Sequence, residues 1–118
     1  MRHREWRFRL EDILESVGWI QRYTAGLTYD EFRLDRRTVD AAIRNFQVIG
    51  EAARHVPPEV EARYPQVPWH QMRAMRNELV HVYFGVDLTI VWDAIHNDLP
   101  PLVPLLQAVL EAEGPHEG

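Results

Sequence analysis

A chain of 118 residues suits one domain, because single cores use roughly 100–200 residues, and its 46% hydrophobic content excludes a disordered chain. Without a cysteine it forms neither disulfides nor thiolate metal sites. The formal net charge of −5 argues against a broadly basic nucleic-acid coat protein, although a local basic patch is enough for brief contact with RNA.

The opening Met1-Arg2-His3-Arg4-Glu5-Trp6-Arg7 is too charged for a signal peptide, and no apolar run approaches membrane-spanning length. A cytoplasmic location with no membrane partner is therefore expected. So short a chain cannot enclose a deep pocket and also keep a full core. Any site is expected in a surface groove or at a seam between two subunits.

No long run alternates apolar and polar residues, and the strong periodicities are helical. Leu10, Ile13, Leu14, Val17 and Ile20 follow one helix face, and Gly26 ends that unit. Thr28-Tyr29-Asp30-Glu31 is a capping-box pattern that opens a short helix reaching Leu34. The next long helix starts near Asp35 and carries the stripe Val39, Ala42, Ile43, Phe46, Ile49 and Ala53. Pro57-Pro58 stops it and starts a short helix, since proline is tolerated in a first turn.

Pro65 and Pro68 bracket the following connection, and a helix then runs from about Trp69 to Phe84, closed by Gly85. Asp87 caps another, with Leu88, Val91, Trp92, Ile95 and Leu99 on one face. Pro100, Pro101 and Pro104 are expected to kink or restart the chain before Leu105, Leu106, Val109 and Leu110 resume a helical stripe. The polar tail 111–118 is expected to fray. The fold class that follows is all-α, an up-and-down bundle of four to five main helices, in a single domain over residues 1–118.

The helix from Trp69 to Phe84 divides sharply on a wheel. Met72, Met75, Leu79 and Val82 share the sector that faces the core, while Arg73, Arg76, Asn77 and His81 lie opposite. Asn77 and His81 are four residues apart and can touch. Arginine grips a phosphate with a planar fork that never loses its charge, and histidine exchanges protons near neutral pH. RNA supplies its own nucleophile, the 2′-hydroxyl. One such helix offers one arginine and one histidine, so two copies facing across a dimer axis would offer both an acid and a base. On spacing alone, the same residues also read as an ordinary solvated face, and Tyr83 also reads as a half-buried aromatic.

Arg76-Asn77, followed by His81 and then Val82-Tyr83, resembles the motif of the HEPN superfamily, in which an arginine is followed after four to six residues by a histidine. The likeness is strongest to the HepT-like toxins, which carry a tyrosine two residues after the histidine. Asp12-Ile13-Leu14, Tyr23-Thr24-Ala25-Gly26, Phe32, Ile49-Gly50-Glu51-Ala52-Ala53, Tyr64-Pro65, Pro68-Trp69 and Val91-Trp92 resemble the same family in type and order, over about residues 10 to 102.

The resemblance implies a HEPN-like helical homodimer with two facing motifs that cleaves RNA with no metal and no cofactor. It implies Arg76 and His81 as the catalytic pair, with Asn77 orienting the histidine. It also implies a partner, a small MNT-type nucleotidyltransferase antitoxin that attaches AMP to Tyr83. Beside Arg76 that adduct would add bulk and negative charge, competing with the RNA phosphate.

Three supporting features have duller alternatives. Glu51 could hold Arg76 or His81 in place or form a surface salt bridge, and Gly50 beside it suggests a close helix contact because it otherwise weakens a helix. Arg73 could add a second cation to the groove or simply be solvated. Trp69 and Trp92 read as core or interface aromatics. A different class of function, a non-catalytic helical dimer that binds a nucleotide or a nucleotidyltransferase, is compatible with the acidic balance. A di-metal bundle is suggested by the carboxylate-x-x-His spacings Glu78–His81 and Asp93–His96, but its ligands would have to point inward.

Overall fold

The computed structural model describes residues 2–76 and 87–114, and every regular element among them is helical. Helix α1 (Arg2–Thr24) turns Trp6, Leu10, Ile13, Val17 and Ile20 into the core. It stops where Gly26 takes a φ of 77°, a left-handed conformation that a side chain would disfavour. Helix α2 (Tyr29–Leu34) begins with the expected capping box: Thr28 Oγ1 accepts from the Glu31 amide at 3.1 Å, and Glu31 Oε1 accepts from the Thr28 amide at 2.9 Å.

Helix α3 (Arg36–Arg54) starts on Asp35, whose carboxylate accepts from the Thr38 amide at 3.2 Å and the Thr38 hydroxyl at 2.8 Å. These bonds favour the charged form and hold the Asp35 carboxyl below its ordinary value. The stripe of Val39, Ala42, Ile43, Phe46, Ile49 and Ala53 is buried throughout. Each large side chain buried this way contributes about 1.5–3 kcal/mol. Helix α4 (Pro58–Arg63) is the short element that the proline pair starts.

Helix α5 begins at residue 69 and is described to residue 76. Its first intrahelical bond runs from the Met72 amide to the Pro68 carbonyl at 3.0 Å. Trp69, Met72 and Met75 are buried, and the Trp69 indole donates to the Tyr64 carbonyl at 2.9 Å. The expected continuation to Phe84, with Asn77, Glu78, His81 and Tyr83, lies outside the described residues.

Helix α6 (Leu88–Asp93) is capped by Asp87, which accepts from the Thr89 amide at 3.0 Å. Of the two outcomes expected at the prolines, a kink or a restart, the chain does not restart. A five-residue π-turn (Ala94–Asp98) leads without interruption into helix α7 (Leu99–Glu113). Pro100, Pro101 and Pro104 lack the amide donors that an α-ladder needs at those positions. The wider register just upstream, with the Leu99 amide bonded to the Ala94 carbonyl, keeps the rod helical across the mismatch.

Arg9 and Asp12 from early α1 lie beside Arg44–Arg54 from late α3, so these helices run antiparallel. Arg7 of α1 donates to the Leu110 carbonyl of α7 at 3.3 Å, which brings opposite ends of those two helices together. Phe32 of α2 is fully buried with its ring 5.2 Å from Trp92 of α6. Tyr64 and Arg63 bond the Glu113 carboxylate, tying the end of α4 to the end of α7. The result is an all-α bundle around a single continuous core. No helix among the described residues is long and apolar enough to cross a membrane.

Candidate active site

The apolar stripe of α3 leaves Glu51 on its flank, next to Gly50. A Cβ built on Gly50 would sit 2.7 Å from the Arg76 Cβ and 2.8 Å from the Arg76 amide nitrogen. The absent side chain is therefore what lets α5 rest on α3 at this level. With the backbones so close, the Arg76 guanidinium reaches the adjacent carboxylate: Arg76 Nη1 donates to Glu51 Oε1 at 2.9 Å.

Glu51 gathers more than one cation. Arg54 Nη1 donates to the same oxygen at 3.4 Å, and His55 Nε2 lies 3.2 Å from the other oxygen. The hydrogen bond to His55, with the charges of Arg54, Arg76 and His55, holds the Glu51 carboxyl below its ordinary value. The Arg76 and Glu51 side chains keep 45% and 47% of their surface exposed, so a ligand can reach both. Their pairing is thus both a surface salt bridge and a positioning contact between helices.

Arg76 and Glu51 open onto a hollow of about 750 Å³ between α1 and α3. Arg9 and Asp12 line it from α1, and Arg44, Gln47 and Arg54 from α3. Sequence reasoning did not single out Arg9, Arg44 or Arg54. The signal was present, since Arg44, Gln47, Glu51 and Arg54 recur at three- and four-residue steps on the polar side of α3. An ordinary solvated face shows the same spacing.

Arg73 does not join this hollow. It pairs with Glu61 of α4, partly shielded from water, and lines a separate depression beside Trp69 and His70. Of the six site residues expected from the sequence, Glu51 and Arg76 are brought together, while Asn77, His81 and Tyr83 lie outside the described residues. Trp92 is half-buried against Phe32, as an aromatic core residue should be. Asp93 and His96 are both exposed rather than turned into the bundle, and His96 Nδ1 lies 2.9 Å from the Trp92 carbonyl. Among the described residues no group of three or more His, Asp and Glu could hold a metal ion.

Comparison with known proteins points to one family. The sequence model described as Ribonuclease HepT-like matches residues 13–109. A Thermococcus cleftensis protein named as a probable ribonuclease HepT is 38% identical over 93 residues, 79% of this chain and 84% of its own length. A Methanocaldococcus jannaschii protein named as a candidate RNase is 38% identical over 118 residues, 99% of this chain and 98% of its own length. Another so named, from Caldanaerobacter subterraneus, is 32% identical over 104 residues, 88% of this chain and 93% of its own. No solved structure matches the chain at a significant level.

Proposed function

The chain belongs to the HepT-like ribonuclease family, and from that premise we propose that it is the endoribonuclease toxin of a HEPN/MNT toxin–antitoxin pair, working as a homodimer without a metal. The observation that carries this reading is Arg76, the first residue of the Arg–His motif. It stands half-exposed at the mouth of a groove and is held by Glu51 at 2.9 Å. One guanidinium nitrogen is committed to Glu51, which leaves the rest of the fork for a phosphodiester.

In this mechanism the 2′-oxygen of RNA attacks the adjacent phosphorus while the bond to the 5′-oxygen breaks. His81 of one copy takes the 2′-hydroxyl proton, and His81 of the second copy gives a proton to the departing 5′-oxygen. Arg76 offsets the charge that grows on the phosphoryl oxygens, and Asn77 orients the histidine. The cognate nucleotidyltransferase silences the site by attaching AMP to Tyr83, placing a second phosphate where the RNA phosphate must bind.

The deciding experiment is cleavage of RNA by the purified chain in EDTA. Wild type should cut, and His81→Ala should not. Cutting that His81→Ala leaves undiminished would refute the assignment.

A further inference from the structure

The hollow beside Arg76 has a charge opposite to that of the whole chain. Four arginines, Arg9, Arg44, Arg54 and Arg76, line it against the two carboxylates of Asp12 and Glu51, leaving two positive charges in a protein of net charge −5. Glu51 is shared between Arg54 and Arg76. Among the described residues Arg9 and Arg44 have no ion pair or hydrogen bond within the fold. Two guanidinium groups without an ion-pair partner on facing helices, against the single carboxylate of Asp12 and beside a third guanidinium that is held in place, make an anion site rather than a structural salt-bridge network.

The size and character of the hollow narrow the ligand. Its volume of about 750 Å³ is within the roughly 300–1,000 Å³ typical of ligand clefts. Seven of the nine residues that line it are polar or charged, four of them arginines, so it favours an anion over a neutral ligand. Arginine forks match phosphate geometry in two-point contacts.

We propose that this α1–α3 hollow is the track for the RNA strand, in which Arg9 and Arg44 hold the phosphodiesters that flank the one gripped by Arg76. The inference rests on the ribonuclease reading for the identity of the polyanion. It adds two RNA-binding residues outside the Arg–His motif and gives the strand its path across the protein.

The test is binding of a fluorescein-labelled single-stranded RNA of mixed sequence to the full chain carrying His81→Ala, in EDTA, followed by anisotropy across a salt series. Adding Arg9→Gln and Arg44→Gln should weaken binding by about tenfold and lower the salt slope by about 0.7 for each arginine removed. Arg9→Lys with Arg44→Lys keeps both charges and should keep most of the slope, which separates lost charge from lost folding. Unchanged affinity and slope in the glutamine variant overturn the proposal. So does a change in oligomeric mass by light scattering that accounts for the lost binding, since the hollow would then be an interface between copies. Wild-type cleavage combined with arginine-independent binding ends the groove inference and leaves the ribonuclease reading intact. Arginine-dependent binding by a wild-type chain that never cuts RNA does the reverse.

Discussion

Gly50 lies so close beneath Arg76 that a methyl group on it would come within 2.8 Å of the Arg76 amide nitrogen. A glycine inside a helix costs about 0.5–1 kcal/mol relative to alanine. Here that cost is offset by the approach of two helices, which brings Arg76 to the carboxylate next in sequence to the glycine. The candidate site is thus built from a missing side chain as much as from the charged ones.

Gly50→Ala should therefore destabilise the fold despite alanine's better helix propensity. The added methyl meets backbone, which cannot swing aside, and overpacking of this kind typically costs about 1–3 kcal/mol. Urea unfolding would measure the loss, and RNA cleavage should fall with it. An alanine variant as stable as wild type would show that α5 is free to move away.

Glu51→Gln keeps the shape of the side chain and removes the charge that orients Arg76. We expect kcat to fall by about tenfold to a hundredfold, the scale of misplacing a reacting group by about 1 Å. KM should stay level or drop, because one negative charge has left the groove. Steady-state kinetics on a short RNA separates the two constants, and a raised KM with unchanged kcat would contradict a positioning role.

Acid should loosen the fold at three defined carboxylates, the Asp87 cap and the pair Asp35 and Glu51. Asp35 and Glu51 are held below their ordinary values of 3.8 and 4.5, so the unfolded chain takes up their protons first as pH falls. The stability they contribute is fully present above those values and is lost as pH drops through the lower folded-state values. Thermal melts should show Tm declining below pH 4.5 in wild type and declining less when Asp35→Asn and Glu51→Gln are combined. Parallel decline in both chains would mean that other carboxylates control acid unfolding.

If the proposed pairing holds, co-expression with an MNT-type nucleotidyltransferase should add the mass of AMP to the peptide containing Tyr83 and stop RNA cleavage. Intact-mass and peptide spectra check this directly. An adduct that persists in Tyr83→Phe would place the modification on another residue.

Local structure is legible in the order of the residues. Caps at Thr28, Asp35 and Asp87, the turn at Gly26 and the buried stripe of α3 all follow from interactions within a few residues, which spacing and residue type are enough to specify. The family is legible there too, because the matching residues recur in order along most of the chain. Which polar side chains meet depends instead on how the helices pack. Glu51 and Arg76 are 25 residues apart in the chain, and a helical wheel tells which face is polar without telling what stands across from it. For that reason Arg73 and Arg76, which share a polar sector on the wheel, separate into two depressions, while Arg9 and Arg44 from different helices line one groove. The π-turn ahead of Pro100, where a kink or restart is expected, escapes residue type for a related reason. A missing amide donor does not say whether a chain will break or shift register, and the packed rod of α6 and α7 keeps it whole.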